Sequence, residues 1–173
     1  APVAIREKVA FAPDSLSTAL QSAHQVVQEN LILSTCNRTE IYAACDTQQS
    51  IDALIQWLAT WHQIPVSQLK PYLYIHHQEA AVRHTLRVAC GLDSLVLGEP
   101  QILGQLKTAL QHATEQTVTG SQLNRLMQHA FSTAKKVRTQ TSIGANPISV
   151  AFAAVSLAKQ IFSQFEKHTA LLI

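Results

Sequence analysis

Charge is scarce in this 173-residue chain: Asp, Glu, Lys and Arg make up 14%, against about a quarter in an average soluble protein. Beside 47% hydrophobic residues, that scarcity excludes a disordered chain, because there is enough apolar surface to form a core. The balance is also nearly neutral, with 13 Lys and Arg against 11 Asp and Glu. This argues against a general nucleic-acid binder and leaves room only for local basic patches. Cysteine is limited to Cys36, Cys45 and Cys90. They form neither an even set nor a Cys-x-x-Cys pair, so a disulfide framework is not expected and a zinc site is disfavoured. No apolar run reaches the roughly 18 residues of a membrane span; the richest, Ile148 to Ala158, is broken by Ser149 and Ser156. The expectation is a chain with no secretory leader and no membrane partner, working in the cytoplasm. Internal repeats and low-complexity tracts are lacking as well.

What is present is strong patterning. Asp14 or Ser15 is placed to cap a helix carrying Leu16, Ala19, Leu20 and Ala23 at helical spacing. Leu31 to Leu33 reads as a covered strand, Ser34 to Arg38 as a polar step, and Thr39 to Ala43 as a second strand that pairs with the first. Ser50 precedes an amphipathic helix with Ile51, Leu54, Ile55, Leu58 and Trp61, and Tyr72 to Ile75 reads as another strand. Helix, strand, strand, helix, strand becomes the ferredoxin-like βαββαβ arrangement if one strand precedes Ala1, so the expected fold is α+β with that first strand missing.

The second half reads as a helical subdomain. Gln78 to Cys90 places Val82, Leu86 and Ala89 on one side and stops at Gly91. Pro100 suits the first turn of a helix bearing Ile102, Leu103, Leu106, Ala109, Leu110 and Ala113. Ser121 opens a helix with Leu123, Leu126, Ala130, Ala134 and Val137 on its apolar stripe and Arg125, His129, Ser132 and Lys136 on another side. A break over 141–147 is followed by a long helix from Ile148 to about Lys167, leading into the apolar run Thr169 to Ile173. Three parts are therefore expected: a domain over 1–145, a connecting helix over 146–168, and the first strand of a further domain over 169–173. Both ends of the chain look cut.

The segment Ser-Thr-Cys-Asn-Arg-Thr-Glu over 34–40 places a thiol among polar groups where two strands meet. A lone Cys is usually a small buried hydrophobe, and Cys45 and Cys90, among alanines, fit that description. Cys36 differs in its company. In extended chain Arg38 shares its face, and a guanidinium there lowers a thiol pKa from about 8.5 while offering a fork for a carboxylate. The plainer reading of Arg38 is a solvated strand-edge ion pair with Glu40. His84, mid-helix beside Arg83 and Arg87, is either structural or, facing Cys36 across the sheet, a proton carrier near neutral pH. The stretch from Gly91 to Gln105 sets two glycines in an apolar segment ending in Glu99-Pro100-Gln101 at a helix start, where polar groups converge on a ligand. Glu99 alternatively complements the helix dipole. Gln101 and Gln105, one turn apart, face either one ligand or solvent.

The two motifs, 34–40 and 91–105, closely resemble those of glutamyl-tRNA reductases, the NADPH enzymes that begin tetrapyrrole synthesis from glutamate. Lys135 to Thr139, Ile143 to Ala145 and Ser149 to Ala153 extend the likeness across essentially the whole chain. The resemblance implies that Cys36 attacks the ester of glutamyl-tRNA(Glu) to form a thioester, which NADPH hydride reduces to glutamate-1-semialdehyde. It places Thr35, Asn37, Arg38, Ser94, Glu99, Pro100, Gln101 and Gln105 in the glutamate pocket. There Arg38 would hold a substrate carboxylate and Glu99 the α-ammonium group, while His84 would serve in proton transfer.

Family members carry a strand before the position of Ala1 and continue beyond that of Ile173 into a nicotinamide-binding Rossmann domain and a helical dimerisation domain. On this reading residues 1–145 are the catalytic, glutamate-recognition domain, and no cofactor or metal is bound by the chain itself. Implied partners are glutamyl-tRNA, a second copy in a homodimer, and the next enzyme of the pathway, glutamate-1-semialdehyde aminotransferase. The alternative is a non-catalytic RNA-binding module of ferredoxin-like type, which the 6% aromatic content and the lack of an RNP-type strand disfavour.

Overall fold

The computed structural model describes residues 1–144, 150–162 and 169. Its elements in order are α1 (Val3–Lys8), α2 (Pro13–Ala23), β1 (Glu29–Ser34), β2 (Thr39–Ala44), α3 (Gln48–Trp61), α4 (Val66–Leu69), α5 (Gln78–Ala89), α6 (Gln101–Glu115), α7 (Ser121–Gln140) and α8 (Val150–Ile161). Short 3-10 turns occupy Lys70–Tyr72 and Ser142–Gly144. The architecture is helical around a small antiparallel two-stranded sheet.

The pairing runs in register from Glu29 opposite Ala44 to Ser34 opposite Thr39. β1 contacts α2, α6 and α7, and that accounts for its composition. Leu31, Ile32 and Leu33 are all at most 2% exposed, so both faces of the strand are buried rather than alternating. The core around it draws Leu20 from α2, Val88 from α5, Leu106 from α6 and Met127 from α7. A satellite of rings, Phe11 stacked near Trp57 and Trp61 at centroid distances of 6.2 and 6.3 Å, closes the α3 side.

Several local expectations are corrected. Pro13 itself starts α2, with Ala12 as the cap residue, and the Ser15 hydroxyl turns back to the Ala12 carbonyl at 3.0 Å. Thr47, not Ser50, caps α3: its side chain accepts from the Ser50 backbone N–H at 3.2 Å. Pro100 sits one place before α6 as its cap. α5 buries Thr85, Val88 and Ala89, while Val82 is 39% exposed. The stop at Gly91 is as expected: φ is +73°, Gly91 N–H donates to Val88 O and Leu92 N–H to Arg87 O, the double bond pattern of a left-handed helix end. Helix α1 was not anticipated.

The largest correction concerns Tyr72 to Ile75. These residues form the end of a 3-10 turn followed by extended backbone, and they pair with no strand among the described residues. A strand is held by a ladder, and nothing in the described chain lies alongside to supply one. The βαββαβ pattern is therefore not present within these residues. The boundary at 145 and the strand expected over 169–173, apart from Thr169, fall outside the described residues; within the expected connecting helix α8 is seen from Val150 to Ile161.

One buried acid joins the sheet to α7. Glu29, 8% exposed, accepts from the backbone N–H groups of Gln122 at 3.1 Å and Leu123 at 2.8 Å, a carboxylate at a helix N-terminus. Gly120 lies so close that a Cβ there would meet Glu29 Oε1 at 2.5 Å. Glu29→Ala is expected to lower unfolding stability by about 1–2 kcal/mol. Gly120→Ala should cost a similar amount in the parent chain and much less in the Glu29→Ala background. A urea-unfolding double-mutant cycle reads the coupling, and independent losses would show that the steric argument is wrong.

Candidate active site

The four residues between β1 and β2 reverse the chain, and Thr35 builds the reversal. Its hydroxyl accepts from the N–H groups of Asn37 at 3.2 Å and Arg38 at 3.1 Å, and its own N–H donates to Arg38 O at 2.8 Å. This is a side-chain-stapled turn with Cys36 and Asn37 at its tip. The Cys36 thiol is exposed, whereas Cys90 is buried and Cys45 half-buried. Burial pushes the Cys90 and Cys45 thiols up, the latter helped by the Asp46 charge, so neither offers a ready thiolate. Thr35, expected in a substrate pocket, spends its hydroxyl on the turn. Asn37 accepts a long 3.4 Å bond from Arg6 Nη1.

Because the chain turns between them, Cys36 and Arg38 do not share a strand face. The alternation begins at β2 instead and puts Arg38, Glu40 and Tyr42 on one side. Arg38 is bound by Glu40 Oε1 at 2.8 Å and Asp93 Oδ2 at 3.1 Å, and Nη2 also donates to the Asp93 carbonyl. The pair with Glu40 is not the solvated one anticipated: the two side chains are 13% and 5% exposed. Burial works against the Arg38 charge, but Glu40 and Asp93 outweigh it and hold its pKa above the ordinary value.

Glu40 is the residue that sequence reasoning undervalued. Its Oε1 receives Arg38 Nη1, His84 Nε2 at 3.0 Å and the Tyr74 hydroxyl, and its Oε2 receives the Tyr42 hydroxyl. Burial alone would raise its pKa, yet the bonds from His84, Tyr42 and Tyr74 together prevail and hold it at about 2. An ionised carboxylate only accepts, so His84 Nε2 carries the proton in this contact. Both tyrosines are pushed up, by burial first and then by the Glu40 charge, and stay neutral donors. The one available signal was Glu40's place two residues after Arg38 in a strand, which puts both on one face.

His84 comes from the middle of α5, and its ring lies 4.7 Å from that of His76 and 5.4 Å from that of Tyr74. It borders an open hollow of about 570 Å³ lined also by His76, Glu79, Arg83, Arg87 and Asp93. The structure thus gathers Arg38, His84 and Asp93 around Glu40. It does not bring His84 or Arg38 into hydrogen-bond contact with Cys36 among the described residues. Ser94 and Glu99 are half-buried, and Pro100, Gln101 and Gln105 are exposed. None of the side chains of Ser94, Glu99, Gln101 and Gln105 makes a hydrogen bond among the described residues, so they are available to a ligand. The Glu99 backbone is anchored by Arg138 Nη2, which donates to its carbonyl at 3.0 Å. Among the described residues no group of His, Cys, Asp and Glu is arranged to hold a metal.

Lowering the Glu40 pKa from 4.5 to about 2 corresponds to roughly 3 kcal/mol of preference for the ionised form. That stability is present above about pH 4.5 and is lost as pH falls through about 2. Glu40→Gln should therefore be less stable than the parent chain by roughly 3 kcal/mol at neutral pH, and the gap should narrow steadily at acid pH. Urea midpoints at about pH 7 and about pH 3 measure it. A gap of constant size would contradict the assignment.

Comparison with known proteins completes the picture. Residues 1–141 match the family described as Glutamyl-tRNAGlu reductase, N-terminal domain. A glutamyl-tRNA reductase of Alkalilimnicola ehrlichii is 57% identical over the whole chain, which covers 39% of that protein. One of Ectopseudomonas mendocina is 55% identical, with 41% covered. The chain thus spans about two fifths of the length of the curated relatives it matches. The solved glutamyl-tRNA reductase from Methanopyrus kandleri superposes with a TM-score of 0.72 at 28% identity, covering 92% of this chain and 37% of that one. A thiol on a stapled turn, a buried Arg–Glu–His cluster behind it and this agreement in sequence and fold place the chain in the glutamyl-tRNA reductase family, over its N-terminal domain.

Proposed function

We propose that this chain performs the acyl-transfer step of a glutamyl-tRNA reductase. Cys36 sulfur, as the thiolate, attacks the ester carbonyl of glutamyl-tRNA(Glu). The sulfur–carbon bond forms as the bond to the terminal ribose oxygen breaks, the thiol proton having left the sulfur and the ribose oxygen taking one up. The step is redox-neutral and leaves a thioester and free tRNA. A thioester is a better hydride acceptor than an oxygen ester, so covalent capture divides a hard reduction into two easier stages. The observation carrying this reading is the exposed Cys36 thiol at the tip of a turn whose next strand residues anchor a buried, charged cluster.

In this scheme the glutamate side-chain carboxylate takes the position on Arg38 held here by Asp93, whose side chain is 39% exposed and lies on the loop after Gly91. Exchanging one carboxylate for another keeps the guanidinium neutralised, while the deeper bond to Glu40 stays in place. Glu99 receives the α-ammonium group, with Ser94, Gln101 and Gln105 completing the pocket. His84, its Nε2 committed to Glu40, has Nδ1 left for proton traffic at the leaving oxygen.

No glycine-rich turn joins a strand to a helix among the described residues, and the sheet is antiparallel, so this part does not fit a nicotinamide dinucleotide. Reduction of the thioester to glutamate-1-semialdehyde by NADPH, the entry to tetrapyrrole synthesis, we assign to another portion of the reductase. We assign homodimer formation and contact with the aminotransferase to the whole protein as well. We assign residues 1–145 to the glutamate-recognition domain and 146–168 to the connecting helix. The non-catalytic RNA-binding alternative is not supported, since no residue of β1 or β2 is exposed to receive stacked bases.

Incubation with glutamyl-tRNA labelled in the glutamate should place label on Cys36, recovered by peptide mapping. Cys36→Ser should abolish the thioester, and Arg38→Ala should slow labelling about 10- to 100-fold through loss of charge-assisted bonds. Equal labelling of the Cys36→Ser variant would defeat the reading.

A further inference from the structure

The near-neutral total conceals a strong segregation of charge. Residues 1–100 carry six Lys and Arg against nine Asp and Glu, whereas 101–140 carry five against one. The five are Lys107, Arg125, Lys135, Lys136 and Arg138, and the lone acid is Glu115. Helix α7 holds four of these cations and no acidic residue across its 20 positions. A folded surface has no need of such an imbalance for stability, because like charges at helical spacing repel. An excess of this sign suits a polyanionic partner.

The fold brings two of these five cations, Lys107 and Lys135, to one groove. α6 and α7 border a groove of about 530 Å³ lined by Lys107, Gln111, Asn124, Gln128, Phe131 and Lys135, with Thr114 and Glu115 toward its far end. Lys107 Nζ stands 5.9 Å from the Phe131 ring centroid, which keeps the ammonium over the groove. Glu115 is engaged by Gln111 Nε2 at 2.8 Å. Gln128 supplies a neutral donor of the kind that reads backbone oxygens without reading sequence. The amide nitrogens of Asn124 and Gln111 each donate once, to the Gly120 carbonyl and to Glu115, and have a second N–H left. Arg125, His129, Ser132 and Lys136, all exposed, form the next stripe around α7 and continue the basic surface beyond the groove.

The cationic end of the groove is also the end nearest the candidate active site. Lys107 lies six residues into α6 from Gln101, about 9 Å along the helix axis. Lys135 is one turn before Arg138, whose guanidinium binds the Glu99 carbonyl at 3.0 Å. A nucleic acid whose terminal ester sat at Cys36 would thus run its following phosphates toward two lysines and a row of amide donors.

We propose that the α6–α7 groove seats the phosphodiester backbone of the tRNA acceptor arm, with Lys107 and Lys135 pairing to the phosphates nearest the reactive end. The inference rests on the acyl-transfer reading for the position of the ester, and its test is kept separate from that reading. Binding of a glutamate-accepting tRNA is measured against salt for the parent protein, for Lys107→Ala/Lys135→Ala and for Lys107→Arg/Lys135→Arg, with thermal melts confirming that each folds. The alanine pair should weaken binding about tenfold near 0.1 M salt and make the log–log salt slope shallower by about 2, one for each lost phosphate contact. The arginine pair should retain both. Acylation of Cys36 by a small glutamyl ester lacking any tRNA should be the same in all three, so failure of acylation in the parent protein would strike the catalytic reading and leave the groove to be judged by tRNA binding alone. Unchanged tRNA affinity and slope in the alanine pair would overturn the proposal. So would a loss confined to a polyglutamate probe, which would give the groove to an acidic protein.

Discussion

A carboxylate that is almost wholly removed from water must be surrounded by donors or give up its charge, and Glu40 is such a carboxylate. Its four donors arrive from different parts of the chain: Arg38 and Tyr42 from its own hairpin, Tyr74 from the extended segment after α4, and His84 from α5. Removing it from water is costly, but this many donors make the ionised form the stable one. The consequence is geometric. Elements with no strand ladder or helix between them are tied to one another through a single pair of oxygens, and Arg38 passes the tie on to Asp93 in the loop after α5. The turn that carries Cys36, the His84 ring and the Arg38 guanidinium are thereby held in one frame.

Against that fixed charge the Cys36 thiol, the proposed nucleophile, is placed in the opposite environment. Cys36 stands on a four-residue turn whose shape is set by one threonine hydroxyl, so the sulfur is presented outward without being wrapped by side chains. The other two thiols are covered and have their ionisation suppressed by burial. For the proposed acyl transfer, this arrangement offers an accessible sulfur beside a Glu40-centred cluster whose charges are already aligned.

The hydrophobic framework explains why this arrangement sits beside a basic helix pair. β1 is buried on both faces because α2 covers one side and the α6–α7 pair packs against it as well. Glu29 at the start of β1 caps α7, fixing that helix to the sheet at one end, while Arg138 fixes its other end to the backbone of Glu99. The helix that carries the most positive charge is therefore pinned at both ends to the elements that form the site.

Much of this was legible in the residue order. Runs such as Leu31 to Leu33 and the helical spacing of Ile102, Leu106, Ala109 and Ala113 located the elements, because side-chain periodicity follows directly from backbone geometry. Gly91 marked a helix end because few other residues accept a positive φ there. Cys36, Arg38 and His84 could be singled out by residue type and motif. What the order could not reveal was which of them meet. The period-two argument joined Cys36 to Arg38 and failed, since a chain reversal lies between them. The strand read into Tyr72 to Ile75 failed for a related reason: its composition suits a strand, but a ladder requires a neighbour that only tertiary structure can provide. Glu40, an ordinary acidic residue in the sequence, became the centre of the site only when the tyrosines and the histidine converged on it. Local conformation depends on near neighbours and was written in the chain; burial, partner choice and ionisation depend on residues brought close by folding, and those the tertiary structure alone decided.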